Sequence, residues 1–152
     1  MFEKIAKDEY LKMLSNNYIA SLAYIADSTP YIVPITYYYN EKENIIISYS
    51  NEGHKINAMR LNNSVSIQLD EIESLDNWKT LLLIGEFEEL NGSEAKMYLH
   101  SFAQNVKKLL AQQESKNPEV INSFSSKISS DSIPIIYRIK ILDVITRKKQ
   151  TK

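Results

Sequence analysis

The residues with the most chemical potential fall between positions 48 and 55, in the run Ser48-Tyr49-Ser50-Asn51-Glu52-Gly53-His54-Lys55. Two hydroxyls close an apolar run, a glycine loosens the backbone, and a histidine and a lysine stand where a short helix, His54 to Leu61, is expected to begin. The first N–H groups of a helix have no partner within it and lie at the positive end of its dipole. With hydroxyls and an ammonium beside them they form a pocket for an anion. A phosphate suits such a pocket, because its oxygens accept several hydrogen bonds while its charge pairs with Lys55. The same residues also describe a capped surface helix with a solvated His-Lys pair. Spacing alone leaves both readings open.

Other chemistries are easier to set aside. The chain has no cysteine, which excludes disulfides, thiolate zinc sites and thiol catalysis. Its two histidines, His54 and His100, are too few for a histidine-built metal centre, so no metal site is expected. A net charge of -1 gives no global attraction to nucleic acid or to an anionic membrane. No apolar run approaches the roughly 20 residues that cross a bilayer. Met1 leads into FEKIAKDEYLKML, charged and amphipathic, unlike a signal or transit peptide. The expectation is a cytoplasmic protein with no nucleic-acid or membrane partner.

The elements that would position the 48–55 run can be read from periodicity and turn residues. Phe2, Ile5, Leu11 and Leu14 suggest an N-terminal helix over residues 2–15. Strands are expected at 18–26 (YIASLAYIA) and 31–39 (YIVPITYYY), joined by the turn cluster Asp27-Ser28-Thr29-Pro30. Pro34 cannot donate to a ladder, so its strand has an edge, a bulge or a ligand there. A hairpin at 40–44 returns into the strand 45–49, and the short helix follows. Strands 64–69 and 78–90 flank an acidic loop at 70–76, and Gly85 marks a place where the longer strand can bend. A helix at 94–113 carries Met97, Phe102, Val106, Leu109 and Leu110. The polar segment 115–132 reads as a mobile loop, the last strand as 133–146, and 147–152 as a basic tail. Ten tyrosines against three glycines favour a β-rich fold. The expected architecture is one domain over residues 1–152, mainly β (α+β): a six-stranded antiparallel barrel with a short helix after the third strand, an N-terminal helix and a longer helix before the last strand. Closure of a barrel removes exposed sheet edges.

Taken in order, YIVPITYYY, Ser48 to Lys55, Arg60-Leu61-Asn62-Asn63, the alternating strand from Ser64 to Leu69, the Trp-led strand from Trp78 to Glu88 and the closing YRIKILDVITRKK make a recognisable set. The set resembles the FMN-binding split-barrel superfamily, the pyridoxamine 5'-phosphate oxidase-like proteins, and within it the small nitroimidazole-reductase-like branch. The resemblance spans roughly residues 10 to 148. It implies a homodimer with FMN at the interface, and a flavin-dependent oxidoreductase passing electrons to a small acceptor. It leaves as alternatives a non-catalytic flavin-binding or storage module, and a split barrel holding FAD, haem or a deazaflavin.

The resemblance also implies roles for residues. Val33, Pro34, Ile35 and Thr36 would lie along the isoalloxazine ring. Ser48, Tyr49 and Ser50 would approach the ribityl chain and phosphate, which His54 and Lys55 would hold. Trp78, Lys79 and Thr80 would close the ring pocket from the partner subunit or the adjoining strand, and Gln68 would add a hydrogen bond to the flavin. His54 stands where the family often has arginine, so part of the charge at the phosphate would follow pH. The chain has no Arg-x-His element near its C-terminus, and vitamin B6 oxidation is not expected. No catalytic acid or base is singled out, since a flavin carries its own redox chemistry.

Overall fold

The computed structural model describes residues 2–113 and 134–151. The elements run α1 (Lys7–Asn16), β1 (Ile19–Ala26), β2 (Thr29–Thr36), β3 (Tyr38–Asn40), β4 (Ile45–Ser50), α2 (His54–Leu61), β5 (Ser64–Ser74), β6 (Asn77–Leu90), α3 (Gly92–Gln113) and β7 (Ile135–Lys149). All strand pairs are antiparallel, in the order β2-β1-β5-β6-β7-β4-β3. The two ends of that order, β2 and β3, are consecutive in the chain and separated only by Tyr37. A flat sheet cannot hold its two edges one residue apart, so the sheet has to roll up into a barrel split at that corner.

Seven strands replace the expected six because the second predicted strand breaks at Tyr37. There the backbone N–H donates to the Tyr18 carbonyl at 2.9 Å, one pair beyond the Ile19–Thr36 end of the β1–β2 ladder, and from Tyr38 the chain pairs with β4 instead. The Tyr37 side chain turns inward and its hydroxyl donates to the Leu14 carbonyl at 2.9 Å, tying α1 to the corner. Pro34 lies on β2, an edge strand, where its missing donor costs no ladder bond. The β1–β2 connection is a two-residue turn, Asp27 (φ 50°) and Ser28 (φ 64°), with Thr29 and Pro30 already in β2. Positive φ at both central residues matches the twist of a tight hairpin.

Other boundaries shift for visible reasons. Helix α1 starts at Lys7, because Glu3 bridges Lys148 and the Ile5 N–H donates to Thr146 Oγ1 at 3.0 Å. The expected acidic loop is largely strand: β5 continues to Ser74, with Glu71 opposite Lys79 on β6. Strand β7 runs three residues beyond Thr146, where Lys149 and Lys148 pair across to Trp78 and Lys79. The expected tail therefore begins inside a ladder. The expected loop 115–132 lies outside the described residues.

Two apolar clusters form. One fills the rolled sheet (Leu22, Ile35, Ile46, Ile67, Leu81, Leu83, Tyr137), closed at one end by Ile56 and Met59 of α2. The other lies between β4 and α3 (Ile47, Tyr49, Leu90, Ile136 with Tyr98, Phe102, Val106 and Leu110). The α3 stripe is therefore 98-102-106-110, and Met97, expected in it, is mostly exposed. Strand β4 is buried on both faces and joins the clusters: Ile46 packs in the first, and Ile45, Ile47 and Tyr49 in the second.

Candidate functional site

On β4 the period of two divides the expected trio. Ser48 and Ser50 face the barrel interior with Ile46, while Tyr49 points the other way, its ring meeting Phe102 edge-on at 4.9 Å. Ser48 is fully buried, and its hydroxyl donates to the Thr36 carbonyl at 2.7 Å. That bond joins the first barrel edge to the interior strand and commits the Ser48 hydroxyl to closure. The Ser50 hydroxyl turns to the Asn51 carbonyl at 2.9 Å. Tyr49 is likewise removed from any wall that Ser50 could share.

The chain then reaches Gly53, the N-cap of α2, which has no side chain to offer the first-turn N–H groups. No acidic residue occupies that turn. An uncapped helix start without a carboxylate is the setting in which an anion is favoured. Lys55 is half-buried in that turn, and burial lowers its pKa from the usual ammonium range. His54 is exposed and oriented: its Nδ1 and the Tyr24 hydroxyl are 2.9 Å apart, and its ring sits edge-on to Tyr31 at 4.8 Å. Tyr24 and Tyr31 stack at 5.5 Å, and burial raises the Tyr24 pKa. The two tyrosines were not singled out from sequence. The signal was present, since Tyr24 continues the inward alternation Ala20, Leu22 and ends it beside the turn.

The second group of expected residues lies on the outer face of the sheet. Register places Pro34 (β2), Ser21 (β1), Gln68 (β5), Leu82 (β6) and Ile145 (β7) in one cross-strand row. The next row holds Ile32, Ala23, Ser66, Ile84 and Asp143. Small side chains on β1 and β5 between flanking isoleucines leave a shallow trough. Large apolar side chains rim it: Ile32 is 73% exposed, Leu142 60% and Ile145 45%. Gln68 is fixed by its Nε2, which donates to both Asp70 oxygens at 3.0 and 3.1 Å, and the Thr80 hydroxyl donates to the same carboxylate. Val33 is half-buried against the interior cluster and Ile35 lies within it, so of the β2 quartet Pro34 lies in the trough row and Thr36 is buried at the corner.

Trp78 and Lys79 are at the far end of the β5–β6 hairpin. The Trp78 indole packs on Phe2 at 5.3 Å and its Nε1 donates to the Leu75 carbonyl at 3.2 Å. Lys79 pairs with Glu9 at 2.9 Å, which raises the lysine's pKa and lowers the carboxylate's. Ile84 shares a row with Ala23, the neighbour of Tyr24, and Trp78 lies six residues further along β6. At about 3.4 Å per residue that is about 20 Å. Within one chain the fold therefore brings His54 and Lys55 together, and separately Pro34, Gln68 and Thr80. It does not bring Trp78 or Lys79 to His54 and Lys55, and Trp78 stands two residues from Thr80 on the same face of β6.

Comparison with known proteins gives the family and agrees with the fold. A family model described as Pyridoxamine 5'-phosphate oxidase matches residues 6–132. A crystal structure of an FAD-binding protein from Mesorhizobium loti is 26% identical with TM-score 0.75, covering 99% of this chain and 98% of that one. The FAD binding protein of Mycobacterium smegmatis is 13% identical with TM-score 0.63, over 99% and 100% of the two chains. A candidate 5-nitroimidazole antibiotic resistance protein from Bacteroides thetaiotaomicron is 13% identical with TM-score 0.68, over 97% and 89%. The last two show likeness of fold. An uncharacterized protein of Rhizobium meliloti (strain 1021) is 35% identical over 95 residues, and the chain spans 62% of that relative's length. Among the described residues no helix is long and apolar enough to cross a membrane.

Proposed function

This chain belongs to the pyridoxamine 5'-phosphate oxidase family, and from that premise we propose that it binds the FMN moiety of a flavin as a homodimer and serves as an oxidoreductase for a small acceptor. The observation that carries the reading is the outer trough, with Ser21, Ala23 and Ser66 as its floor and Pro34, Gln68 and Thr80 along it. Its donor set fits a flavin. The small side chains of the floor leave room for a flat ring, Gln68 keeps its Oε1 as an acceptor while Asp70 takes its Nε2 and the Thr80 hydroxyl, and the α2 N-terminus with Lys55 and His54 offers a phosphate seat. A bound flavin supplies the redox chemistry, taking up electrons from a donor and returning them to an acceptor. The chain's own part is to hold the phosphate, fix the ring edge through Gln68 and keep water off the ring face.

The dimer follows from two features. A barrel this size fills its interior with side chains, so a flat ring has to lie outside it against a second surface. The exposed isoleucines rimming the trough are the kind of patch a partner covers. A twofold copy also supplies what one chain lacks, a second surface facing the trough. In this reading Ser48 and Tyr49 drop out of the site, and Ser50 stays near the phosphate seat through its backbone.

The test uses the full chain. FMN and riboflavin are titrated into wild type and a His54→Ala/Lys55→Ala variant. A greater loss for FMN than for riboflavin is expected, because only FMN carries the phosphate. Equal losses count against the phosphate seat, and absence of binding by either ligand ends the flavin reading. Anaerobic reduction with NAD(P)H and reoxidation by a nitro compound separates an enzyme from a carrier. Sedimentation gives the oligomeric state.

A further inference from the structure

Three aromatic rings meet where the β1–β2 hairpin touches α2, and their arrangement decides which nitrogen of His54 carries a proton. Tyr24 and Tyr31 are direct cross-strand partners, so their rings lie on one face and stack with an interplanar angle of 12°. His54, the first residue of α2, closes the group, its ring tilted 56° to Tyr24 and 65° to Tyr31. Contacts from two rings hold the imidazole in one orientation although the residue is exposed.

The two nitrogens of an imidazole are unlike, and the bond that one of them makes assigns the proton of the other. Nδ1 of His54 faces the Tyr24 hydroxyl at 2.9 Å. A phenol donates well and accepts poorly, because its lone pair is drawn into the ring. Burial pushes the Tyr24 pKa up, so the hydroxyl keeps its proton. Nδ1 therefore accepts, and the proton of the neutral ring stands on Nε2. That nitrogen is across the ring from Tyr24 and has no hydrogen-bond partner among the described residues.

The geometry points to Tyr24 as a positioning residue that acts through His54: its hydroxyl holds the imidazole as the Nε2–H tautomer and so gives the phosphate seat a fixed N–H donor. The inference rests on the flavin reading above and adds to it the residue that makes His54 favour a phosphorylated flavin. The hydroxyl is the essential atom. A phenylalanine at position 24 would keep the ring stack and lose the tautomer.

Nitrogen-15 NMR of the ligand-free full chain reads the tautomer directly at about pH 8.5, where an imidazole is ordinarily neutral. The other histidine is His100 on α3, and a His54→Ala variant identifies which signal is which. Wild type is expected to show Nε2–H, Tyr24→Phe a mixture of both tautomers, and Tyr31→Phe, which keeps its ring, the wild-type pattern. Titration with FMN and riboflavin then reads the role, with a thermal melt reporting whether each variant keeps its fold. Tyr24→Phe should weaken FMN about fivefold, the worth of about one hydrogen bond, and leave riboflavin unchanged. In a His54→Ala background the same substitution should cost FMN nothing further, a result that a merely structural tyrosine would not give. An Nδ1–H ring in wild type, a tautomer indifferent to Tyr24→Phe, equal losses for the two flavins, or an undiminished loss in the His54→Ala background overturns the assignment and leaves the flavin reading standing. If wild type binds neither flavin, that reading falls, and Tyr24 has no phosphate to serve whatever the tautomer.

Discussion

Replacing Gly85 with alanine tests whether the bulge in the longest ladder is built around a missing side chain. Gly85 lies where the β6–β7 register slips, with Leu142 left out of the pairing. A Cβ there would come 2.5 Å from the Lys140 carbonyl oxygen and 2.6 Å from Ile139 Cγ2. Comfortable contacts begin at about 3.5 Å, so something has to move by about 1 Å. Ile139 can rotate, but the carbonyl belongs to a ladder paired from Trp78 to Leu90 and cannot retreat alone. Overpacking of this kind costs about 1–3 kcal/mol. Gly85 is not at positive φ, so alanine also restricts the unfolded chain and returns about 0.4–1 kcal/mol. The net loss is about 1–2 kcal/mol, which lowers the melting temperature by about 2–8 °C in a chain of this size. Differential scanning calorimetry of wild type, Gly85→Ala and Gly53→Ala measures it. Gly53 is the control, with nothing within 4 Å of a Cβ; alanine is a poorer cap by about 1 kcal/mol, most of which the restricted unfolded chain returns. A Gly85→Ala protein melting at or above wild type, or a Gly53→Ala protein falling as far, refutes the reasoning.

Ser48→Ala leaves the buried Thr36 carbonyl without its 2.7 Å donor, and the expected loss is about 1–2 kcal/mol in urea unfolding with flavin affinity per folded molecule unchanged. Phe102→Ala empties the contact under Tyr49 and should cost about 3–5 kcal/mol by the same measurement, detaching α3 before the barrel melts. Glu9 has its pKa lowered, first by the Lys79 bond and then by Lys148, so its contribution is present above the unfolded carboxylate pKa and is lost as pH falls through the lower folded value. A pair this solvated is worth about 0.5 kcal/mol. Glu9→Gln should therefore melt slightly below wild type at neutral pH, and the two curves should meet in acid. A gap that widens in acid would reverse the assignment.

How much of this was legible in the sequence depended on whether a residue's environment was local. Helix α2 was read with its observed bounds, because its start and stop are written in Gly53 and Asn62. The strand break at Tyr37 was not, because YIVPITYYY is uniformly β-prone and the change of partner there, from β1 to β4, is set by other elements. Asp70 to Ser74 looked like a loop by composition. Pairing with Asn77 to Thr80 overrode that, through cross-strand partners such as Glu71 and Lys79 that no local pattern reveals. Of the α3 stripe, Phe102, Val106 and Leu110 were legible and only its first position was not, since Met97 is more apolar than Tyr98, yet only Tyr98 keeps the four-residue step to Phe102.

The site divides along the same line. The placing of His54 and Lys55 at a helix start was legible because that is a local signal, whereas the trough exists only when Ser21, Gln68 and Pro34 are brought into one row by two separate registers. Small residues at Ser21, Ala23 and Ser66 carry no chemical signal by themselves; they matter because larger neighbours stand on either side once the sheet has rolled. The corner at Tyr37 that rolls it is thus the step on which the site depends. It sets the curvature that carries the α2 N-terminus to the rim, and Ser48 clamps the same corner from inside. A substitution there should disturb ligand binding in proportion to the barrel's stability, while one in the trough should change binding and leave the melt alone.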